Sequence, residues 1–336
     1  MRPVCFHDCA GWLHEAPASA APGRAAVIAG PHGFEDLCAR RTLRMLADRL
    51  ARAGVPTLRF DWSGAGDSLG DARDPDRLTR WRGDLAAAVD LARAATGAGE
   101  IAVIGLRFGA LLAAELGTLG RSVARVALLA PPPSGRGYAR ELKALSRVMP
   151  DAGAEPGFEG LSVAGLRTSA QTLEAMRGWC FSDQSAPPAP DVLVAAPDGA
   201  LGARVAARRL EALGARVESG GFPGYEKMMC DPTASEAALD LLDPLVAWAR
   251  RDAPPTGRAA PARPLVRALQ GAAFIEEPAR FGPAENYAGV LCRPRADAGA
   301  APVLFLNAGG THHGGWARVT VHHARALAAQ SGTSLR

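Results

Sequence analysis

Five consecutive residues frame the chemistry of this chain: Gly105-Leu106-Arg107-Phe108-Gly109. They stand between an apolar run, Ile101-Ala102-Val103-Ile104, and an alanine-rich stretch, Ala110-Leu111-Leu112-Ala113-Ala114. The pattern predicts a strand, a sharp corner and a helix. Glycines on both sides of a central residue suit a corner where any Cβ would strike neighbouring backbone. Such a corner presents its central side chain under backbone strain, as a nucleophile elbow does. Nucleophilic chemistry there needs a serine, cysteine or aspartate. Arg107 stays protonated and has no lone pair to attack with. Two readings follow. Arg107 is either an anchor for a carboxylate or phosphate, or a structural partner of an acid such as Asp198.

Other side chains offer displaced chemistry. Ser63, Ser68, Ser134 and Cys230 lie in segments that can face the elbow, and His32 can act as a base from the loop after the first buried strand. The plainer readings are turn chemistry for Ser63 and Ser68 beside glycines, a small buried apolar residue for Cys230, and a loop cap for His32. Cys5-x-x-x-Cys9 with His7 between them lacks a second ligand pair, so no metal is expected. No cofactor motif stands out.

The elements that position these residues alternate. Strands are predicted at 25–30, 57–61, 101–104, 124–130, 192–196 and 215–218, with helices near 38–53, 76–96, 202–213 and 234–251. Leu43, Leu46 and Leu50 share one face of the first helix, and Gly54 lies past its end. This alternation predicts an α/β fold with a parallel sheet covered on both faces. Residues 131–190 show helical pieces and no clear strand, as a lid inserted between core strands would.

Composition narrows the class. Hydrophobic residues make up 48% and charged residues 21% of 336 positions, which describes a folded globular chain. The net charge is +4, carried almost wholly by arginine; Lys143 and Lys227 are the lysines. No basic stripe with interleaved aromatics appears, so a nucleic-acid partner is not expected. No apolar run is long enough to span a membrane. Six scattered cysteines suggest no disulfide framework and fit a cytoplasmic protein.

Residues 303–336 repeat residues 26–59: Arg318 matches Arg41, Leu327 matches Leu50, and Leu335-Arg336 matches Leu58-Arg59. The reading is an α/β unit over 1–252, a proline-rich linker over 253–264, and the start of a second copy over 265–336, truncated before it can bury a core of its own. In that copy His312-His313 follow a strand close to a site mouth.

Several segments carry a resemblance: residues 58–68 (LRFDWSGAGDS), the elbow, residues 134–142 (SGRGYAREL), residues 223–229 (PGYEKMM) and residues 280–283 (RFGP). The chain resembles α/β-hydrolases of the serine aminopeptidase-like group, particularly hydrolase-like proteins linked with exosortase and exopolysaccharide gene clusters. The resemblance implies ester or amide hydrolysis of a small-molecule, acyl or glycan substrate by a Ser-His-Asp triad. It puts the nucleophile at Arg107, the acid at Asp198, and the oxyanion amides at His32, Gly33 and Phe108. The triad histidine belongs between about 222 and 236, yet no histidine lies between His32 and His312. The alternative is a catalytically silent protein that binds an anionic ligand or serves as scaffold for a second hydrolase domain.

Overall fold

The computed structural model describes residues 1–17, 23–71, 73–75, 77–151, 157–254, 265–296, 301–307 and 312–336. The chain opens with an antiparallel pair, β1 (Arg2–Phe6) and β2 (Cys9–His14). There follow β3 (Arg24–Ala29), α1 (Phe34–Arg52), β4 (Thr57–Phe60), α2 (Arg77–Thr96), β5 (Glu100–Leu106), α3 (Phe108–Ala114) and β6 (Arg125–Leu129). Next come α4 (Gly135–Val148), the short strands β7 (Gly160–Val163) and β8 (Leu166–Ser169), and α5 (Ala170–Arg177). The unit closes with β9 (Asp191–Ala196), α6 (Leu201–Ala212), β10 (Arg216–Gly221), α7 (Tyr225–Met228) and α8 (Leu239–Arg250).

Eight strands form one sheet in the order β1-β2-β4-β3-β5-β6-β9-β10. From β4 to β10 all neighbours run parallel, and β2 meets β4 antiparallel. The central strands are apolar on both faces because helices cover both. On one face Leu78, Trp81 and Leu85 of α2 and Ala206 and Leu210 of α6 belong to one hydrophobic core. On the other, Leu43, Leu46 and Leu50 of α1 pack with Leu241, Leu245 and Trp248 of α8. Leu50 is fully buried, and burial of one leucine side chain contributes about 2 kcal/mol.

Two expectations need correction. The segment 131–190 does carry helices, α4 and α5, but it also holds the β7–β8 hairpin where the residue pattern predicts no strand. Helix α1 begins at Phe34, ahead of its predicted start, because Gly33 at φ 62 turns the chain into it. The expected linker lies mostly outside the described residues, since only 253 and 254 of it are described.

The C-terminal region builds a second sheet from β11 (Leu269–Gln270), β12 (Phe274–Phe281), β13 (Tyr287–Pro294), β14 (Val303–Leu304) and β15 (Ser334–Leu335), with α9 (Val319–Ala329) between the last two. Its order is β11-β12-β13-β15-β14. The run β12-β13-β15-β14 has the order and directions of β1-β2-β4-β3: two antiparallel pairings, then a parallel one.

Three arginines tie this region to the loop after β4. Arg318 donates to the carbonyls of Gly64, Gly66, Ser68 and Gly70 at 2.6–2.9 Å. Arg325 donates to the carbonyls of Asp67 and Ser68, at 2.6 and 3.1 Å. Arg336, with a fully buried side chain, bridges Asp67 (2.9 Å) and Glu276 (2.7 Å).

Candidate functional site

The elbow forms as its glycines require. A Cβ on Gly105 would stand 2.5 Å from the Gly109 carbonyl oxygen, and one on Gly109 would stand 2.2 Å from that of Ala29. Arg107 sits between β5 and α3 at φ 53, ψ −117, a strained conformation for a residue with a side chain. Phe108 opens α3, so its N–H points out of the helix start.

The Arg107 guanidinium is already engaged. Its Nε donates to Glu35 Oε1 at 2.8 Å, its Nη2 to Glu141 Oε2, and its Nη1 to the Ala130 carbonyl at 3.3 Å. Tyr138 donates its hydroxyl to the other Glu35 oxygen at 2.9 Å, and its ring lies 5.6 Å from the guanidinium. Burial works against the charge on Arg107, but Glu35, Tyr225 and Glu141 outweigh it and push its pKa further up. Burial and Glu35 likewise push the Tyr138 hydroxyl well above its ordinary range. Glu35 belongs to the first turn of α1, and Tyr138 and Glu141 to α4. These contacts latch α4 to α1 at the elbow residue.

Asp198 lies just past β9, is exposed, and makes no ion pair with Arg107; the acids that pair with Arg107 are Glu35 and Glu141. The other candidates separate cleanly. Ser68 donates to the Asp61 carbonyl at 2.6 Å and accepts from the Ala10 amide at 2.9 Å, which fixes the loop. Ser134 caps α4 by accepting from the Gly137 amide. Cys230 is exposed rather than buried, with its thiol toward the Lys227 carbonyl. His7 pairs with Asp84 at 2.8 Å, while burial pushes the Cys5 thiol up to about 12 and the Cys9 thiol higher.

Beside the latch is a cavity of 850 Å³. Its walls come from the loop at His32 and Gly33, the loop at Ser63–Gly66, the start of α2 at Arg77 and Trp81, and the lid hairpin at Thr168. The C-terminal region closes it with His312, Trp316 and His322. His32 Nε2 lies 2.8 Å from the Thr168 hydroxyl, and the imidazole packs 5.0 Å from the Trp81 ring. Burial, helped by the charge of Arg77, lowers the His32 pKa to about 4, so the ring is neutral at neutral pH.

Asp67, His312 and His313 bring ligand-type atoms within 4.8 Å of one another. Guanidinium groups already stand there: Arg40 Nη1 is 3.3 Å from His312 Nε2, and Arg336 Nη2 is 2.9 Å from Asp67 Oδ1. His313 adds a 2.5 Å contact to Asp67. Burial opposes ionisation of Asp67, yet His313 and Arg336 hold its carboxyl well below the usual range. This cluster works as a charged clasp between the two sheets.

Sequence reasoning missed Glu35, Tyr138 and Glu141 as partners of Arg107. The available signal was the spacing of Tyr138 and Glu141 on one helix face. It also missed the cavity, because two of its walls come from the lid hairpin and the C-terminal region.

Among known proteins, a model of the serine aminopeptidase S33 family matches residues 22–172. No curated protein matches the chain. Solved structures share its architecture, two of them as follows. Est1E from Butyrivibrio proteoclasticus with ferulic acid bound is 16% identical, with 73% of this chain and 96% of that one covered and a TM-score of 0.52. DcsB in complex with its substrate analogue is 16% identical, with 75% and 98% covered and a TM-score of 0.53. The chain has the α/β-hydrolase fold, a mainly parallel sheet flanked by helices. No helix among the described residues is long and apolar enough to cross a membrane.

Proposed function

We propose that this chain is an α/β-hydrolase-fold binding protein whose elbow performs no acyl transfer, and that its ligand occupies the cavity beside the latch. The carrying observation is Arg107, held by Glu35 and Glu141 where a nucleophile would stand. The lack of any histidine in the segment after β10 supports it. Because Arg107 is saturated by carboxylates, the ligand does not dock on it. The resemblance to exosortase- and exopolysaccharide-linked proteins favours an acyl- or glycan-bearing small molecule met in the cytoplasm. The matching strand orders favour a tandem arrangement, in which 265–336 begins a second copy and lends walls to the first copy's cavity.

One contact favours a second reading, a relocated hydrolase. The neutral His32 lies within hydrogen-bond reach of the Thr168 hydroxyl, in the geometry of a base and a nucleophile. In that reading His32 takes the hydroxyl proton as Thr168 Oγ1 adds to the ester carbonyl, returns it to the departing alcohol as the ester C–O bond breaks, and water then hydrolyses the acyl-threonine. A base whose pKa is near 4 is weak for this task at neutral pH, which ranks the reading second.

Turnover of short aryl esters and binding of the neutral dye Nile red separate the two. Dye binding without turnover above the buffer rate is expected. Turnover that disappears in Thr168→Val would replace the binding reading with the relocated hydrolase.

A further inference from the structure

Among the described residues, two buried side chains on the cavity wall have polar atoms with no hydrogen-bond partner. Ser63 is 1% exposed and its Oγ has no partner. Arg77 is 2% exposed; its Nη2 donates to Asp74 at 2.8 Å, while Nε and Nη1 have no acceptor. A buried donor left unpaired is destabilising. Native proteins rarely tolerate it unless a ligand or water completes the group.

The surroundings are built around this guanidinium. Gly64 and Gly70 adopt positive φ, +80 and +89, and a Cβ on Gly64 would lie 2.4 Å from Arg77 Cζ. Glycine is the residue that lets loop and guanidinium share this space. Trp81 Nε1 donates to the Ser63 carbonyl at 3.0 Å and so holds that residue in place. The charge balance is positive. Among the described residues, five arginines line the cavity against three aspartates. Those three, Asp36, Asp71 and Asp151, each already face an arginine.

We propose that the cavity takes an oxyanion, a carboxylate or phosphate group of its ligand, on the free N–H donors of Arg77 and the hydroxyl of Ser63. The positive guanidinium repels a metal cation. A group that only accepts hydrogen bonds suits unpaired guanidinium N–H donors and a hydroxyl that can donate. The aromatic surface of Trp81 beside it suits the apolar body of such a ligand. The inference rests on the cavity being the ligand site, and it adds the chemistry that selects the ligand.

The test is calorimetric titration of the full chain with inorganic phosphate and, separately, with acetate, at constant ionic strength. At least one should bind, and the stronger of the two identifies a phosphoryl or carboxylate ligand. Ser63→Ala should weaken that binding about tenfold or more, the worth of one hydrogen bond to a charged group. The same variant should not lower the melting temperature of the free protein, because that hydroxyl has no partner to lose. Arg77→Lys should weaken binding as well. Absence of binding by both anions overturns the proposal, and so does binding that Ser63→Ala leaves unchanged, which would mean an adventitious ion only. Nile red binding without anion binding would remove this inference and leave the cavity as a ligand site. Failure of all three probes would remove both.

Discussion

Arg107→Ser places a nucleophile at the elbow and removes the latch at once. The structure fixes what each change should do. The Arg107–Glu35 pair is largely buried, with side chains 10% and 14% exposed. Breaking such a pair by removing one partner costs about 3–5 kcal/mol, because a buried charge is left behind. Glu35 keeps the Tyr138 hydroxyl, which offsets part of that cost. Glu141 is half exposed, so its share is no more than about 1 kcal/mol. The backbone strain at φ 53 is not relieved, since serine bears it too. The sum is about 3–4 kcal/mol of lost stability. Glu35→Gln in the same chain should recover about 2 kcal/mol, measured as the coupling energy of a double-mutant cycle in urea. Aryl-ester turnover should stay at the buffer rate, because residues 222–236, where the base would stand, hold no histidine to activate the new hydroxyl. A loss under about 1 kcal/mol would show that the latch is not a stabilising element. New turnover would show a base within reach of the elbow.

Other perturbations have defined outcomes. Between pH about 6.5 and 4 the unfolded chain protonates His32 while the folded chain does not, so stability should fall with falling pH by up to about 3 kcal/mol and then level off for this group. His32→Gln should flatten that part of a urea-midpoint profile. Asp67 acts in the same direction at lower pH, because its folded carboxyl stays ionised below the usual range. Arg336→Ala removes the bridge between Asp67 and Glu276 and should cost about 3 kcal/mol. Hydrogen exchange should then quicken in β12, β13 and α9 before it does in β5 or β6.

The elbow could be read from five residues because its cause is local. Two glycines must let α3 pass against β5 and β3, whatever stands between them. The leucine face of α1 was legible for the same reason. The latch was not, because Glu35 and Arg107 are 72 positions apart and nothing in either segment names the other. The β7–β8 hairpin escaped because its strands are four residues long, part-buried and without alternation. In the C-terminal region β14-α9-β15 follows the order and direction of β3-α1-β4. The hydroxyl of Ser63 is a candidate by residue type alone, whereas Arg77 is not, because an arginine at a helix start looks solvated until burial is known.

The most direct test of the account is fluorophosphonate labelling of the full chain with mass mapping of any adduct. The account predicts no adduct at any serine or threonine, with Arg107 intact and the elbow closed by Glu35 and Glu141. A stoichiometric adduct on Ser63, Ser134 or Thr168 would contradict it and make this protein a hydrolase with a relocated nucleophile.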